Sequence, residues 1–162
     1  MEWHKWNDGS WKDHPEDACT GQLLFAAARR GDEERVLQLL AQGADVMYKT
    51  GGRFSTALHQ ACLCALSDAY VRIGEALLAH NAAIDATDSW GYTPLMACAW
   101  VGAGAEVYQT KLAKVLLDHG ADRDWVDIDG DTVLAHARCN NLHAFVQLLQ
   151  DNNNNNNDEE LA

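Results

Sequence analysis

The stretch "DSWGYTPLMACAW", Asp88 to Trp100, decides how the rest of the chain is read. Gly91 stands where a tight turn needs positive φ. Thr93 can cap the first turn of a helix, and Pro94 at the first helical position costs no hydrogen bond. Leu95 follows, and the small Ala97, Cys98 and Ala99 let a neighbouring helix approach closely. That leaves Trp90, Tyr92 and Trp100, which a packing role does not explain. The segment is either a site of chemistry or a turn and helix that carry contact residues, and the flanking sequence separates the two.

The same grammar recurs. "STALHQAC" and "DTVLAHAR" open with Thr56 and Thr132 as this stretch does with Thr93, and paired leucines close the units in "QLLAQGAD", "ALLAHNAAID", "VLLDHGADRD" and "QLLQD". The first block, "GQLLFAAARRGDEERVLQLL", has the helical pattern without the threonine. This ordered set, recurring in phase, resembles the ankyrin repeat family, whose unit is about 33 residues with a Thr-Pro-Leu-His-x-Ala start. The resemblance covers about four repeats from Gly21 to Gln150, and only Thr93-Pro94-Leu95 keeps the proline. It implies an all-α repeat solenoid: an ankyrin-like stack of helix-turn-helix units joined by β-hairpin-type fingers, each burying its apolar face on the next. For His59, on the family's histidine, it implies a structural hydrogen-bonding role.

Leu39, Leu77, Leu116 and Leu148 are spaced 38, 39 and 32 residues apart. Aligning the motifs puts one extra residue in the first finger, between Tyr48 and Phe54, and extra lengths between the helices of repeats two and three. The latter, "LCALSDAY" and "GAGAEVYQT", should lengthen a helix or form a loop away from the fingers. Val36, Leu39, Leu40, Leu142, Phe145, Leu148 and Leu149 recur at helical spacing and should form the stacked core. Ahead of the repeat domain, residues 21–150, a Trp-rich segment of residues 1–20 carries Trp3, Trp6 and Trp11. It could cover the first repeat as a lid, occupy the concave groove or act as a linear docking motif; the lid is favoured because a terminal repeat needs covering. The end, "DNNNNNNDEELA" (151–162), is polar and low in complexity and is expected to be disordered.

Twenty-four acidic against twelve basic residues leave a net charge of -12, and Arg29, Arg30 and Arg35 are the densest cationic group. Such a surface repels nucleic acid and anionic lipid. No apolar h-region follows a basic start and no run of eighteen apolar residues occurs, so neither secretion nor a membrane span is indicated. Five cysteines without framework spacing favour free thiols in a reducing compartment, which places the chain in cytoplasm or nucleus. Cys62 and Cys64 are too close for common zinc loops, while Cys139 and His143 flank an expected turn, so no metal is expected. No catalytic motif and no cofactor signature appear either.

The resemblance supplies a contact face: the finger tips and the exposed side of each first helix. The positions that match are Tyr48, Phe54, Leu63, Trp90, Tyr92, Trp100, Val101 and Trp125. Trp125 either packs against the adjacent repeat or stands exposed. Grouped exposed aromatics mark interfaces, and the acidic surround favours a partner with a basic surface. The expected activity is therefore non-enzymatic protein binding by a monomer. A stoichiometric enzyme inhibitor or assembly chaperone of ankyrin type is the alternative, and a thiol or metal-dependent enzyme the remote competitor.

Overall fold

The structure, a computed structural model, describes residues 20–50, 52–100 and 106–157. These form eight helices: α1 (Thr20–Arg30), α2 (Glu33–Ala41), α3 (Ala57–Leu63), α4 (Asp68–Ala79), α5 (Pro94–Trp100), α6 (Glu106–Asp118), α7 (Val133–Cys139) and α8 (His143–Asn157). Consecutive helices pair as hairpins. The odd-numbered ones then stack in one row and the even-numbered ones in another, giving four helix pairs. Among the described residues the only extended pairing is an isolated antiparallel bridge between Val126 and Thr132.

The first helices of the last three pairs start where a threonine can accept from the first turn. Thr56 takes the His59 N–H, Thr93 the Met96 N–H and Thr132 the Ala135 N–H, at 3.5, 3.4 and 3.3 Å. Small residues then set the spacing of that row. Ala27, Ala28, Ala61, Cys62, Ala97, Cys98, Ala99 and Ala137 are all buried. The Cys62 and Cys98 thiols hydrogen-bond to each other between α3 and α5, and burial pushes the Cys62 thiol well up. These cysteines are core filling. The second row contributes the larger Val36, Leu39, Ile73, Leu77, Leu112, Leu116 and Phe145. Leu149 is buried, whereas Leu148, expected in the core, is half-buried at its edge.

The interhelical insertions behave differently at their two ends. In the first, residues 64–67 form the connection and the rest lengthens α4 to 12 residues, against 9 in α2. Tyr70 from this insertion reaches back to the first repeat. Its hydroxyl donates to the Arg29 carbonyl at 3.3 Å, and its ring lies where a Cβ on Gly31 would sit. The second insertion feeds a 13-residue α6, with residues 101–105 outside those described. The longer helices also carry the cross-repeat ion pairs Arg72–Glu33 and Lys111–Asp68.

The boundary expected at residue 151 falls inside α8, which runs on to Asn157. Phe145 and Leu149 anchor that helix, and extending an existing helix adds a backbone hydrogen bond without a new nucleation step. Residues 1–19 of the Trp-rich segment lie outside the described residues, as do residues 158–162, while Thr20 already opens α1.

His59 shows how neighbouring repeats are tied. It is buried, and its Nδ1 accepts the Thr56 N–H at 3.2 Å, so Nε2 carries the proton and donates to the Tyr92 carbonyl at 2.9 Å. Burial holds its pKa below the usual 6.5. The unfolded chain therefore binds the proton more readily, and the stability this contributes is complete above about pH 6.5 and lost progressively as pH falls below it. Urea unfolding should show the wild-type midpoint dropping from pH 7.5 to 5. His59→Gln should be roughly 1–3 kcal/mol less stable at pH 7.5 and less sensitive to pH. Parallel pH slopes in the two proteins would remove His59 as the source.

Candidate functional site

Two aspartates fold the fingers. Asp88 accepts the N–H groups of Trp90 and Tyr92 on Oδ1, at 2.8 and 3.0 Å. Asp127 accepts those of Asp129 and Asp131, at 2.9 and 3.0 Å. Backbone bonds close both turns, from Asp88 N–H to the Tyr92 carbonyl and from Asp127 N–H to that of Asp131. Gly91 is needed here twice over: its φ is 77°, and an added Cβ would lie 3.2 Å from the Ile128 nitrogen of the next finger.

The enlarged first finger meets the same requirement with a different residue. Its closing bond runs from Thr50 N–H to the Ser55 carbonyl, and the positive-φ position is held by Phe54 at 55°. A bulky L-residue is strained in this conformation. Phe54 is nonetheless 54% exposed, so burial does not account for it.

The fingers are also bonded to one another. Ser89 N–H donates to the Arg53 carbonyl at 2.8 Å, Ile128 N–H to the Trp90 carbonyl at 3.2 Å, and Lys49 Nζ to the Thr87 carbonyl at 2.9 Å. They therefore present their tips as one ledge.

On this ledge an aromatic cluster is centred on Tyr92. Its ring lies 6.0 Å from Trp90 in an edge-to-face arrangement, 5.3 Å from Trp100 and 5.2 Å from the edge-on ring of His136. Trp100 and His136 are 6.1 Å apart. These separations are in the range where aromatic pairs attract beyond simple burial. The cluster stays open to solvent, with Trp90 42% and Trp100 45% exposed. Arg53 stacks on Trp90 with its guanidinium carbon 3.8 Å from the ring centre.

His136 is oriented from below by Asp127. Its Nε2 donates to Asp127 Oδ2 at 2.7 Å, and the carboxylate is fully buried. Burial alone would raise the Asp127 pKa. The Asp131 N–H, His136 and the Asp129 N–H together outweigh it and hold the carboxyl below the usual 3.8. Both Asp127 oxygens are thus engaged in shaping the finger. The Tyr92 hydroxyl is pushed up, first by burial and then by Asp127, Asp129 and Asp88, against the lowering influence of Arg53.

Of the residues singled out in the sequence, Trp90, Tyr92 and Trp100 come together. Phe54 and Trp125 are exposed, the latter by 39%. Tyr48 is half-buried at the base of the first finger, with its Cβ 2.4 Å from where a Cβ on Gly21 would stand. Leu63 is half-buried against the core at the end of α3. Val101 lies outside the described residues.

Sequence reasoning missed His136, Arg53 and the inward role of Asp127. His136 had no usable signal, because the equivalent position four residues after the other capping threonines holds Gln60 and Ala97, which share no chemistry with it. Arg53 had none, since it belongs to the inserted finger and has no counterpart in the other repeats. Cys139 ends α7 and His143 begins α8, with Asn141 at φ 57° between them. Among the described residues no three His, Cys, Asp or Glu side chains gather as a metal site.

The family model for ankyrin repeats (3 copies) matches residues 23–122, more than half of the chain. The fourth helix pair lies beyond the matched stretch. No curated protein matches the sequence.

Two substitutions separate scaffold from contact. Phe54→Gly relieves the left-handed strain at some cost in chain entropy, so stability by thermal melting should stay within about 1 kcal/mol of wild type, on the stabilising side. A large loss would make Phe54 structural. Asp127→Ala leaves two finger N–H groups and His136 without their acceptor. It should destabilise by roughly 1–3 kcal/mol in urea unfolding, and an unchanged midpoint would show the finger to be held without it.

Proposed function

Because the chain belongs to the ankyrin repeat family, we propose that it is a non-enzymatic module that binds a protein partner through its finger tips and concave helix face. Ankyrin repeats are generally protein–protein interaction modules. The observation that carries the reading is the cluster of Trp90, Tyr92, Trp100 and His136, in which the two tryptophans stay solvent-open while Tyr92 and His136 seat them on fingers bonded to each other. A preorganised aromatic patch loses little freedom when a partner covers it, which is the condition under which aromatic anchors contribute most. Phe54 and Trp125 extend the face along the first and last fingers, and Tyr48 and Leu63 steady its edge.

Charge supports a basic partner surface. Exposed Asp129 and Asp131 sit on the last finger, and the chain as a whole carries -12. Such a field speeds encounter with a positive surface and disfavours nucleic acid. Among the described residues no helix is long and apolar enough to cross a membrane.

The test is affinity capture with the wild type and with a Trp90→Ala/Trp100→Ala double variant, followed by mass spectrometry of retained proteins. Each truncation should weaken the contact by about 2 kcal/mol or more. The double variant should then lose the specific partner while circular dichroism shows its helices intact. Retention of every partner by a folded double variant would make the concave face the wrong surface.

A further inference from the structure

The aromatic ledge already holds one cation. The Arg53 guanidinium sits over Trp90, with its carbon 3.8 Å from the ring centre. Its Nε is buried without a hydrogen-bond partner among the described residues. A π face is thus a principal partner of this group. Arginine suits such a face better than lysine does, because a guanidinium is planar and weakly hydrated whereas an ammonium is compact and keeps its water. Arg53 is fixed by its own backbone bond to Ser89, so the stacking belongs to the scaffold.

The aromatic surface continues past Trp90 onto Tyr92 and Trp100. Among the described residues no cation of the chain itself lies over either ring; the other pairing of this kind, Lys111 with Tyr108, is on α6. Trp100 is as open as Trp90. The adjoining finger adds negative charge. Asp129 is exposed on the adjoining finger, and its charge, with those of Asp127 and Asp88, is felt at the Tyr92 hydroxyl.

We propose that the open face of Trp100, where it adjoins the half-buried Tyr92, together with Asp129 on the neighbouring finger, is a seat for an arginine side chain presented by a flexible basic segment of the protein partner. The inference rests on the protein-binding reading above and specifies the chemistry of its anchor. The guanidinium would stack on the indole as Arg53 does on Trp90, while its N–H groups face the finger carboxylate. A lysine at the same place would keep the charge but lose the stacked plane and the paired donors.

The test uses the purified full chain and short fluorescein-labelled Gly/Ser peptides carrying arginine, lysine or citrulline at the same positions, read by fluorescence anisotropy. The arginine peptide should bind roughly tenfold more tightly than the lysine peptide, and the neutral citrulline peptide should not saturate. Trp100→Ala and Asp129→Asn should each weaken the arginine peptide about fivefold or more, and the peptide should shift the Trp100 indole N–H signal in a proton–nitrogen spectrum. Asp129 is exposed, so Asp129→Asn keeps the test valid if Trp100→Ala fails to fold. Equal binding of arginine and lysine peptides, insensitive to Trp100, would reduce the effect to diffuse acidic attraction and overturn the proposal. So would the absence of saturable arginine-peptide binding at millimolar concentration. If captured partners depend on Trp90 and Trp100 while the arginine peptide does not bind, only the arginine seat is wrong. If partners ignore both tryptophans, the concave-face reading itself has failed.

Discussion

The structure turns on the hydrogen bond from His59 to the Tyr92 carbonyl, 2.9 Å long and buried. One end of this imidazole closes the start of α3 through Thr56, and the other grips the finger that leads into α5. A stack of repeats has few contacts between distant parts of its sequence, so its rigidity depends on such links from one unit to the next. Here the link ends on the residue whose side chain centres the aromatic cluster. The backbone that stabilises the stack is also the backbone that positions the aromatic cluster.

The fourth repeat does the equivalent task with different groups. His136 is tied to Asp127 within its own repeat, and its ring meets Tyr92 of the repeat before. Asn140 adds a bond from its side chain to the Ala99 carbonyl at 2.7 Å. The two histidines therefore flank the Tyr92 finger from opposite sides, one on its main chain and one on its ring. The second-helix row has a different job. Its longer α4 and α6 bury aliphatic side chains, place exposed ion pairs across the back of the stack and send Tyr70 to close over Gly31. Exposed ion pairs of this kind contribute little each, so the aliphatic burial carries that side.

The first finger shows where stability has yielded to the surface. The other fingers turn on glycine, whereas this one turns on Phe54 at φ 55° and leaves the ring exposed. The one-residue insertion that permits this also brings Arg53 over Trp90. A single local change in the chain thus supplies both an exposed aromatic and a guanidinium that covers part of the next finger.

The sequence by itself determined the repeat architecture, because that architecture is written in local signals. A capping threonine, small residues in the first helix, paired leucines and a turn residue each act within a few positions of themselves, and their phase sets the stack. It also marked Trp90 and Tyr92 on a finger and Trp100 at the end of a first helix, since these are positions the repeat turns outward. Only the tertiary structure decided which candidates meet. Leu63 and Tyr48 turned partly inward because neighbouring helices and Gly21 offered them apolar contact, and α8 ran past its expected end because an anchored helix extends readily. His136 and Arg53 joined the cluster from repeats on either side of it. Their proximity depends on how adjacent repeats are laid side by side, a relation across the 37 positions from Arg53 to Trp90 and the 44 from Tyr92 to His136 that no local pattern records.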